Sequence, residues 1–248
     1  MKNYLILLLF SFTTVVAGTI NVATAANVSY AIHEFITEFH KQYPDTKVQI
    51  TLGSSGKLTA QIQNGAPYDI FMSANMKYPD ALYKNALAIT KPLVYAKGAL
   101  AMLSIRPRDF DKGISIVTDK NIRRIAIANP KTAPYGKAAL EALKNAKLYT
   151  KVKHKLIYAE SASQAVAYSV TATDLGFIAK SALFSPKMQR YTKGVNFAEV
   201  NPELYTPISQ GIVLLKHAKK SADAKAFYNF ILSKKAKAIF TAYGYKTP

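Results

Sequence analysis

The sequence predicts an α/β protein built from two lobes, and three observations support this. Short apolar segments alternate with amphipathic segments of helical period, which is the pattern of α/β folds. The same alternation resumes in the middle of the chain, as a second lobe requires. Half of the 248 residues are apolar and 19% are charged, a composition that can form a substantial core. The length allows one large domain or two of about 100–150 residues each.

The elements of the first part follow one another closely. Residues 19–27 are predicted to form a strand, and residues 28–43 a helix with its apolar residues on one face. A second strand at 47–53 leads into a short helix, and Gly65-Ala66-Pro67 breaks the chain before a third strand at 68–74.

The remainder of the chain repeats this order of strands and helices. Further strands are predicted at 99–105, 123–130, 153–161, 194–200 and 208–216, with a strand and turn at 174–183. Further helices are predicted at 136–148 and 163–173, and one or two closing helices at 221–245. Two segments, near 91–104 and 203–213, are candidates for strands that cross between the lobes. The predicted division is therefore 18–95 and 206–248 for the first lobe and 96–205 for the second.

The first 17 residues are typical of a secretory signal peptide. Lys2 precedes an apolar run that ends at Ala17 before Gly18, and the run is shorter than the roughly 20 residues of a membrane span. The chain contains no cysteine, so neither a disulfide, nor a thiolate metal site, nor a lipid-anchored N-terminus is expected. We therefore expect a freely diffusing periplasmic protein that is not a lipoprotein.

The chain is strongly basic, with 33 Lys and Arg against 14 Asp and Glu and a formal charge of +19. The lysines are spread along the sequence without the aromatic interleaving of a nucleic-acid groove, so we expect a solvated surface and no nucleic-acid partner. The four histidines are widely spaced: His33, His40, His154 and His217. A histidine-rich site for a free metal cation is therefore not expected.

One construction occurs three times: a strand ends, small or polar residues follow, and a helix begins. The three loops are residues 25–27, 53–56 and 130–136, with helices predicted from Val28, Lys57 and Lys137. A helix start exposes unpaired N–H groups and a partial positive charge, so these loops are suited to an anion. The alternative is that their Asn, Ser and Gly residues are ordinary caps and turns.

The segment GSSGKLTAQIQNGAPYDIFMSAN, residues 53–75, resembles the signature of the periplasmic molybdate-binding proteins of ABC transporters. The resemblance continues through NPKTAPYGKAALEAL, YAESASQAV, DLGFIAKSA and AFYNFILSKKAKAIFTAYGY, and it covers essentially the whole chain after residue 17. It implies a type II periplasmic binding protein, in which two α/β lobes joined by two crossing strands hold the ligand in the cleft between them.

The resemblance also implies which residues hold the ligand. Ser55 matches the oxyanion-binding serine at the second helix start. Asn27, with its neighbour Ala26, falls in the first loop, where some members of the family bind the anion through Asn. Tyr135 falls in the third loop, and Ala162 matches a residue that donates a backbone N–H from the second lobe.

The implied function is high-affinity binding of molybdate, together with tungstate, for delivery to the permease of an ABC importer. A monomer without a cofactor is expected. Catalytic residues are not expected, because GSSGK fits neither a serine-hydrolase nor a nucleotide-binding motif. Ala179 departs from the family pattern, since many members carry an anion-binding Tyr there, and Tyr135 is expected to replace that phenol. A receptor for sulfate or another tetrahedral oxyanion, or a tungstate-specialised binder, remains the alternative.

Overall fold

The computed structural model describes residues 18–248, which form two lobes, each built on a five-stranded sheet. The predicted signal peptide, residues 1–17, lies outside the described residues. Within the described part of the chain, no helix has the length and apolar character needed to cross a membrane.

The elements alternate along the chain. The strands are β1 (Thr19–Ala25), β2 (Lys47–Gly53), β3 (Ile70–Met72), β4 (Leu93–Gly98), β5 (Leu100–Leu103), β6 (Ile125–Ala128), β7 (Leu156–Ala159), β8 (Leu175–Ala179), β9 (Phe197–Glu199) and β10 (Ile208–Leu214). The α-helices are α1 (Ile32–His40), α2 (Ser55–Gln63), α3 (Lys77–Lys84), α4 (Pro134–Asn145), α5 (Tyr149–Val152), α6 (Ala162–Thr171), α7 (Ala222–Ile231) and α8 (Lys234–Ala242). Two 3-10 turns matter for the site, at Ala26–Tyr30 and Lys180–Phe184.

The two sheets share one plan. The first has the order β2-β1-β3-β10-β4 and the second β7-β6-β8-β5-β9. In each, three parallel strands are followed by one antiparallel strand, β10 or β5, and then by an edge strand. Parallel strands place the loops after their carboxyl ends on one edge of the sheet, which is where ligands bind in α/β folds.

The last two helices of the chain pack against the first lobe through aromatic side chains. Phe35 and Phe39 lie on the buried face of α1, and their ring centroids lie 4.5 Å from Phe240 and 5.0 Å from Phe227, respectively. All four side chains are fully buried. Helices α7 and α8 thus complete the lobe that β1 began.

The chain crosses between the lobes twice. The first crossing is abrupt, because only Ala99 separates β4 of the first sheet from β5 of the second. The return lies between β9 and β10, over residues 200–207. The sequence-based boundary between residues 95 and 96 falls inside β4, which extends to Gly98 because it pairs with β10 as far as Ile208.

All three helix starts lie earlier than the sequence analysis placed them. The first loop forms the 3-10 turn from Ala26, α2 begins at Ser55, and α4 begins at Pro134. Proline favours the first position of a helix, where its missing N–H has no intrahelical partner to lose. As a result, Asn27, Ser55 and Tyr135 lie within first turns rather than in the loops before them.

Candidate functional site

The loops that follow four parallel strands meet between the two lobes. The Ala26–Tyr30 turn and α2 follow β1 and β2 of the first sheet, and α4 and α6 follow β6 and β7 of the second. The five residues named from the sequence all lie in these helix starts, and all are buried: Ala26, Asn27, Ser55, Tyr135 and Ala162.

The two edges touch directly, so the lobes are closed on each other. The Gly56 N–H donates to the carbonyl oxygen of Thr132 at 2.9 Å. At the rim, Lys57 Nζ lies 2.8 Å from Glu160 Oε1, with both side chains about half exposed. A Cβ atom on Gly56 would lie 3.0 Å from Thr132 Cα and 2.8 Å from the Tyr78 hydroxyl. Glycine at this position therefore permits the close approach of the lobes.

Ser55 presents a hydroxyl whose proton is free to donate. It is the first residue of α2 and is fully buried, and its Oγ accepts the N–H of Ala74 at 3.0 Å. A hydroxyl that accepts one bond keeps its own proton for a further partner. The backbone N–H of Ser55 lies in the first turn, where N–H groups have no partner within the helix.

Asn27 is held from several sides. Its Nδ2 donates to Gln210 Oε1 at 2.8 Å and to the Tyr245 hydroxyl at 3.0 Å. Its backbone carbonyl accepts from Ser181 Oγ of the second lobe at 3.0 Å and from the Tyr245 hydroxyl at 2.9 Å. Its side-chain oxygen, Oδ1, is buried and has no hydrogen-bond partner among residues 18–248.

Gln210 connects two of the residues named from the sequence, one in each lobe. It is fully buried in β10, next to a β-bulge at Gly211. Its Oε1 accepts from Asn27 and, at 2.8 Å, from the Tyr95 hydroxyl, while its Nε2 donates to the Tyr135 hydroxyl at 3.3 Å. The amide therefore bonds to the first loop, the first crossing strand and α4 of the second lobe at once.

Tyr135 keeps its proton at any ordinary pH. Burial, reinforced by the neighbouring phenols of Tyr245, Tyr95 and Tyr205, holds the pKa of Tyr135 well above its usual value. Because the oxygen accepts from Gln210, the phenolic proton is available to a further acceptor. Its oxygen lies so close to Gly98 that a Cβ atom there would clash with it.

The second lobe contributes a helix start and one departure from the family pattern. Ala162 is the first residue of α6, whose N-cap Ser161 accepts the N–H of Gln164 at 3.3 Å. Ala179 lies at the end of β8, opposite Leu100 at the first crossing. Its side chain offers no donor, and the Tyr205 hydroxyl accepts the N–H of Leu100 beside it at 3.0 Å.

Unpartnered buried oxygens mark the cleft as a site for a hydrogen-bonding ligand. Within residues 18–248, four buried side-chain oxygens have no partner: Thr24 Oγ1, Asn27 Oδ1, Ser54 Oγ and Thr132 Oγ1. All four lie at or just before the loops that meet between the lobes. Such atoms are rare in native proteins, and hydroxyls in this position can donate to an anion.

The sequence analysis missed Gln210, Tyr95, Tyr245 and Thr132. The segment ISQGIVLLK was interpreted as a buried strand, and its single amide was the available signal, since a polar residue in a buried strand needs partners. No comparable signal marked the two tyrosines, because aromatic residues are common in buried strands and helices.

The chain is similar to known extracellular binding proteins. The family model described as bacterial extracellular solute-binding protein matches residues 20–246. The molybdate-binding protein ModA of Azotobacter vinelandii is 34% identical over 233 residues, 92% of this chain and 90% of that protein. ModA of Rhodobacter capsulatus is 35% identical over 93% of this chain and 89% of its own length.

A solved structure shows the same fold. The periplasmic molybdate-binding protein of Azotobacter vinelandii superposes with a TM-score of 0.86 at 33% identity, covering 92% of this chain and 99% of that one. The predicted fold class, with two α/β lobes and a cleft between them, is confirmed.

Removal of the Gln210 amide is expected to destabilise the ligand-free protein. Gln210→Met leaves the buried donors of Asn27 and Tyr95 without their acceptor, so the free energy of unfolding should fall by about 1–3 kcal/mol. Urea unfolding measures this. Gln61→Met is the matched control, because Gln61 also accepts a tyrosine hydroxyl, that of Tyr68, but at the exposed surface. An equal loss in both variants would contradict a central role for Gln210.

The buried phenols are expected to make stability fall at high pH. Burial raises the pKa of Tyr245 to about 12, whereas an unfolded tyrosine titrates near pH 10. The neutral phenol therefore contributes stability in full below about pH 10, and this contribution is lost as the pH rises from about 10 towards 12. Unfolding free energies across this range should fall less steeply in Tyr245→Phe than in wild type. The control is Tyr43→Phe, at an exposed tyrosine of the first lobe, which should keep the wild-type slope of unfolding free energy against pH. If Tyr245→Phe also keeps that slope, the Tyr245 phenol is excluded as the cause.

Proposed function

The chain belongs to the bacterial extracellular solute-binding proteins and, within them, to the molybdate-binding family, and on that premise we propose that it binds molybdate for an ABC importer. The observation that carries the proposal is the cleft between the lobes, where buried hydroxyls and helix starts converge. The relatives are named for binding, and we propose a binding role without catalysis and without a resident cofactor.

Uncharged donors hold the dianion in this proposal. Ser55 Oγ and the Tyr135 hydroxyl each have a proton to donate, and the first turns of α2 and α6 offer backbone N–H groups. A hydrogen bond to a charged acceptor is about twice as strong as a neutral one, and a water-poor cleft strengthens it further. The helix ends add partial positive charge in the same direction.

Size and protonation state determine selectivity. Molybdate and tungstate are nearly equal in size and fully deprotonated at neutral pH, so the same donors serve both. Sulfate is smaller, and a cage matched to the larger tetrahedron leaves donors underused at about 1–3 kcal/mol each.

Phosphate carries a proton that needs an acceptor. Among the side chains described as buried, Asp69 is the only carboxylate. It lies before β3, where it accepts the Asn21 N–H and contacts His217, away from the cleft. Glu160 at the rim is paired with Lys57. A cleft without a free carboxylate therefore favours a fully deprotonated anion.

Transport completes the proposal. Residues 1–17 direct export, the mature chain acts as a periplasmic monomer, and its closed form docks on the permease of the importer. Closure is a hinge motion about the two crossings, as is usual for proteins that bind a ligand between two domains.

Titration calorimetry of residues 18–248 tests the function. We expect one-to-one binding of molybdate and tungstate, with sulfate and phosphate much weaker. Ser55→Ala and Asn27→Ala should each weaken molybdate binding at least about tenfold, or roughly 1.4 kcal/mol, because each removes a group that holds the anion or its neighbours.

Two surface variants serve as controls. Ser115→Ala and Asn229→Ala make the same changes at exposed positions and should bind as wild type does. Preference for sulfate would favour the alternative receptor and contradict the size argument. Unchanged affinity in both cleft variants would remove these residues from the site.

A side chain at Gly56 is expected to hold the lobes apart. In Gly56→Val the added atoms meet the Thr132 backbone, so molybdate affinity should fall at least about tenfold. In small-angle scattering with molybdate present, Gly56→Val should have a larger radius of gyration than the wild-type protein. Ala60→Val places the same side chain on an exposed position of α2 and should change neither quantity. Wild-type compaction and affinity in Gly56→Val would refute this role.

A further inference from the structure

The arginines of this chain are concentrated in one place. Its 33 basic residues comprise 28 lysines and only five arginines. Four of the five line a single surface pocket of the second lobe, whose lining is Arg106, Arg108, Asn121, Arg123, Arg124 and Asp174. In a chain that uses lysine almost everywhere else, this grouping indicates a demand for guanidinium groups rather than for charge alone.

The fold brings together three distant segments to make this arginine pocket. Arg123 and Arg124 immediately precede β6, and Asp174 immediately precedes β8, which is parallel to β6. Arg106 and Arg108 follow β5, whose last residue pairs with Gly176 at the start of β8. The pocket therefore lies at the amino ends of β6 and β8, across the sheet from the cleft.

The pocket carries a surplus of positive charge. The one carboxylate, Asp174, accepts the backbone N–H groups of Arg123 and Arg124, both at 2.9 Å, and so fixes the turn that carries them. The ion pairs formed within residues 18–248 include none of the four arginines.

The neighbouring acids are already engaged. Asp109 and Asp119 lie within ion-pair distance of Lys112, and Asp119 also accepts the Asn121 N–H. Four guanidinium groups against one carboxylate leave a net charge of +3 in the pocket.

We infer that this pocket is a second anion site, distinct from the cleft, that binds a compound carrying two linked phosphate groups. The planar guanidinium donates two parallel N–H groups that match the oxygens of phosphate, which a lysine ammonium does not. Two phosphates supply enough negative charge and enough acceptors for four arginines. Two such groups are offered by a free diphosphate and by a lipid headgroup in which glycerol joins two phosphates, as in cardiolipin.

Titration of the mature protein with inorganic pyrophosphate, with molybdate saturating the cleft, tests this site. We expect one-to-one binding that Arg123→Gln/Arg124→Gln weakens at least about tenfold, while molybdate affinity stays unchanged. Lys219→Gln/Lys220→Gln, which removes the same charge from an exposed pair on the first lobe, should leave pyrophosphate binding as it is. An equal loss in the lysine variant, or none in the arginine variant, would overturn the proposal.

Two further arms separate geometry from charge and identify the source of the phosphate. Replacing all four arginines by lysine keeps the charge, so retained affinity would refute a guanidinium site.

Sedimentation with phosphatidylcholine vesicles, with and without cardiolipin, shows whether a lipid headgroup is bound. Cardiolipin-dependent sedimentation that Arg123→Gln/Arg124→Gln abolishes assigns the lipid, and pyrophosphate binding without sedimentation assigns a free diphosphate. The absence of both cardiolipin-dependent sedimentation and pyrophosphate binding would refute the site.

Discussion

One buried amide holds the functional centre of this protein together. Gln210 bonds to Asn27 of the first loop, Tyr95 of the first crossing strand and Tyr135 of the second lobe. Since every one of these groups is buried, each must find a partner inside the protein or bear a cost of about 1–3 kcal/mol. A single residue of β10, next to a register shift between Gln210 and Gly211, thus links buried side chains of both lobes.

Neutral groups are well suited to a site that must bind and later release a dianion. A lysine or arginine in the cleft would add attraction for every anion without regard to size, whereas donors at fixed positions discriminate by geometry. The basic residues of the first and second lobes instead lie at the surface, with Lys57 at the rim of the cleft paired to Glu160. General attraction of anions by the charge of +19 and selection in the neutral cleft are therefore separate properties of the molecule.

Local sequence patterns were sufficient to predict the fold, and the sequence also indicated several of the loops that meet between the lobes. Alternating apolar strands and amphipathic helices have short periods, so the two-lobe α/β plan could be predicted. The three strand–loop–helix starts identified three of the four loops that meet between the lobes. The three helix starts were placed two or three residues too late, because none of these first turns has a side-chain cap that would mark its beginning. Gln210 could not be placed, since its partners lie 183, 115 and 75 residues away. The arginine pocket was missed for the same reason, because three segments build it.

The two polar contacts at the edges of the cleft are individually weak, and this leaves room for a ligand to stabilise the closed arrangement. The Gly56–Thr132 hydrogen bond contributes about 0.5–1.5 kcal/mol, and the half-exposed Lys57–Glu160 pair about 0–1 kcal/mol. A dianion that takes donors from helix starts of both lobes adds several charge-assisted bonds at once, each of about 1.5–3 kcal/mol. Such a ligand would contribute more to the closed arrangement than these two contacts do. A closed state stabilised by its ligand in this way loses that stabilisation when the anion leaves, so the population of the closed form would report whether the cleft is occupied.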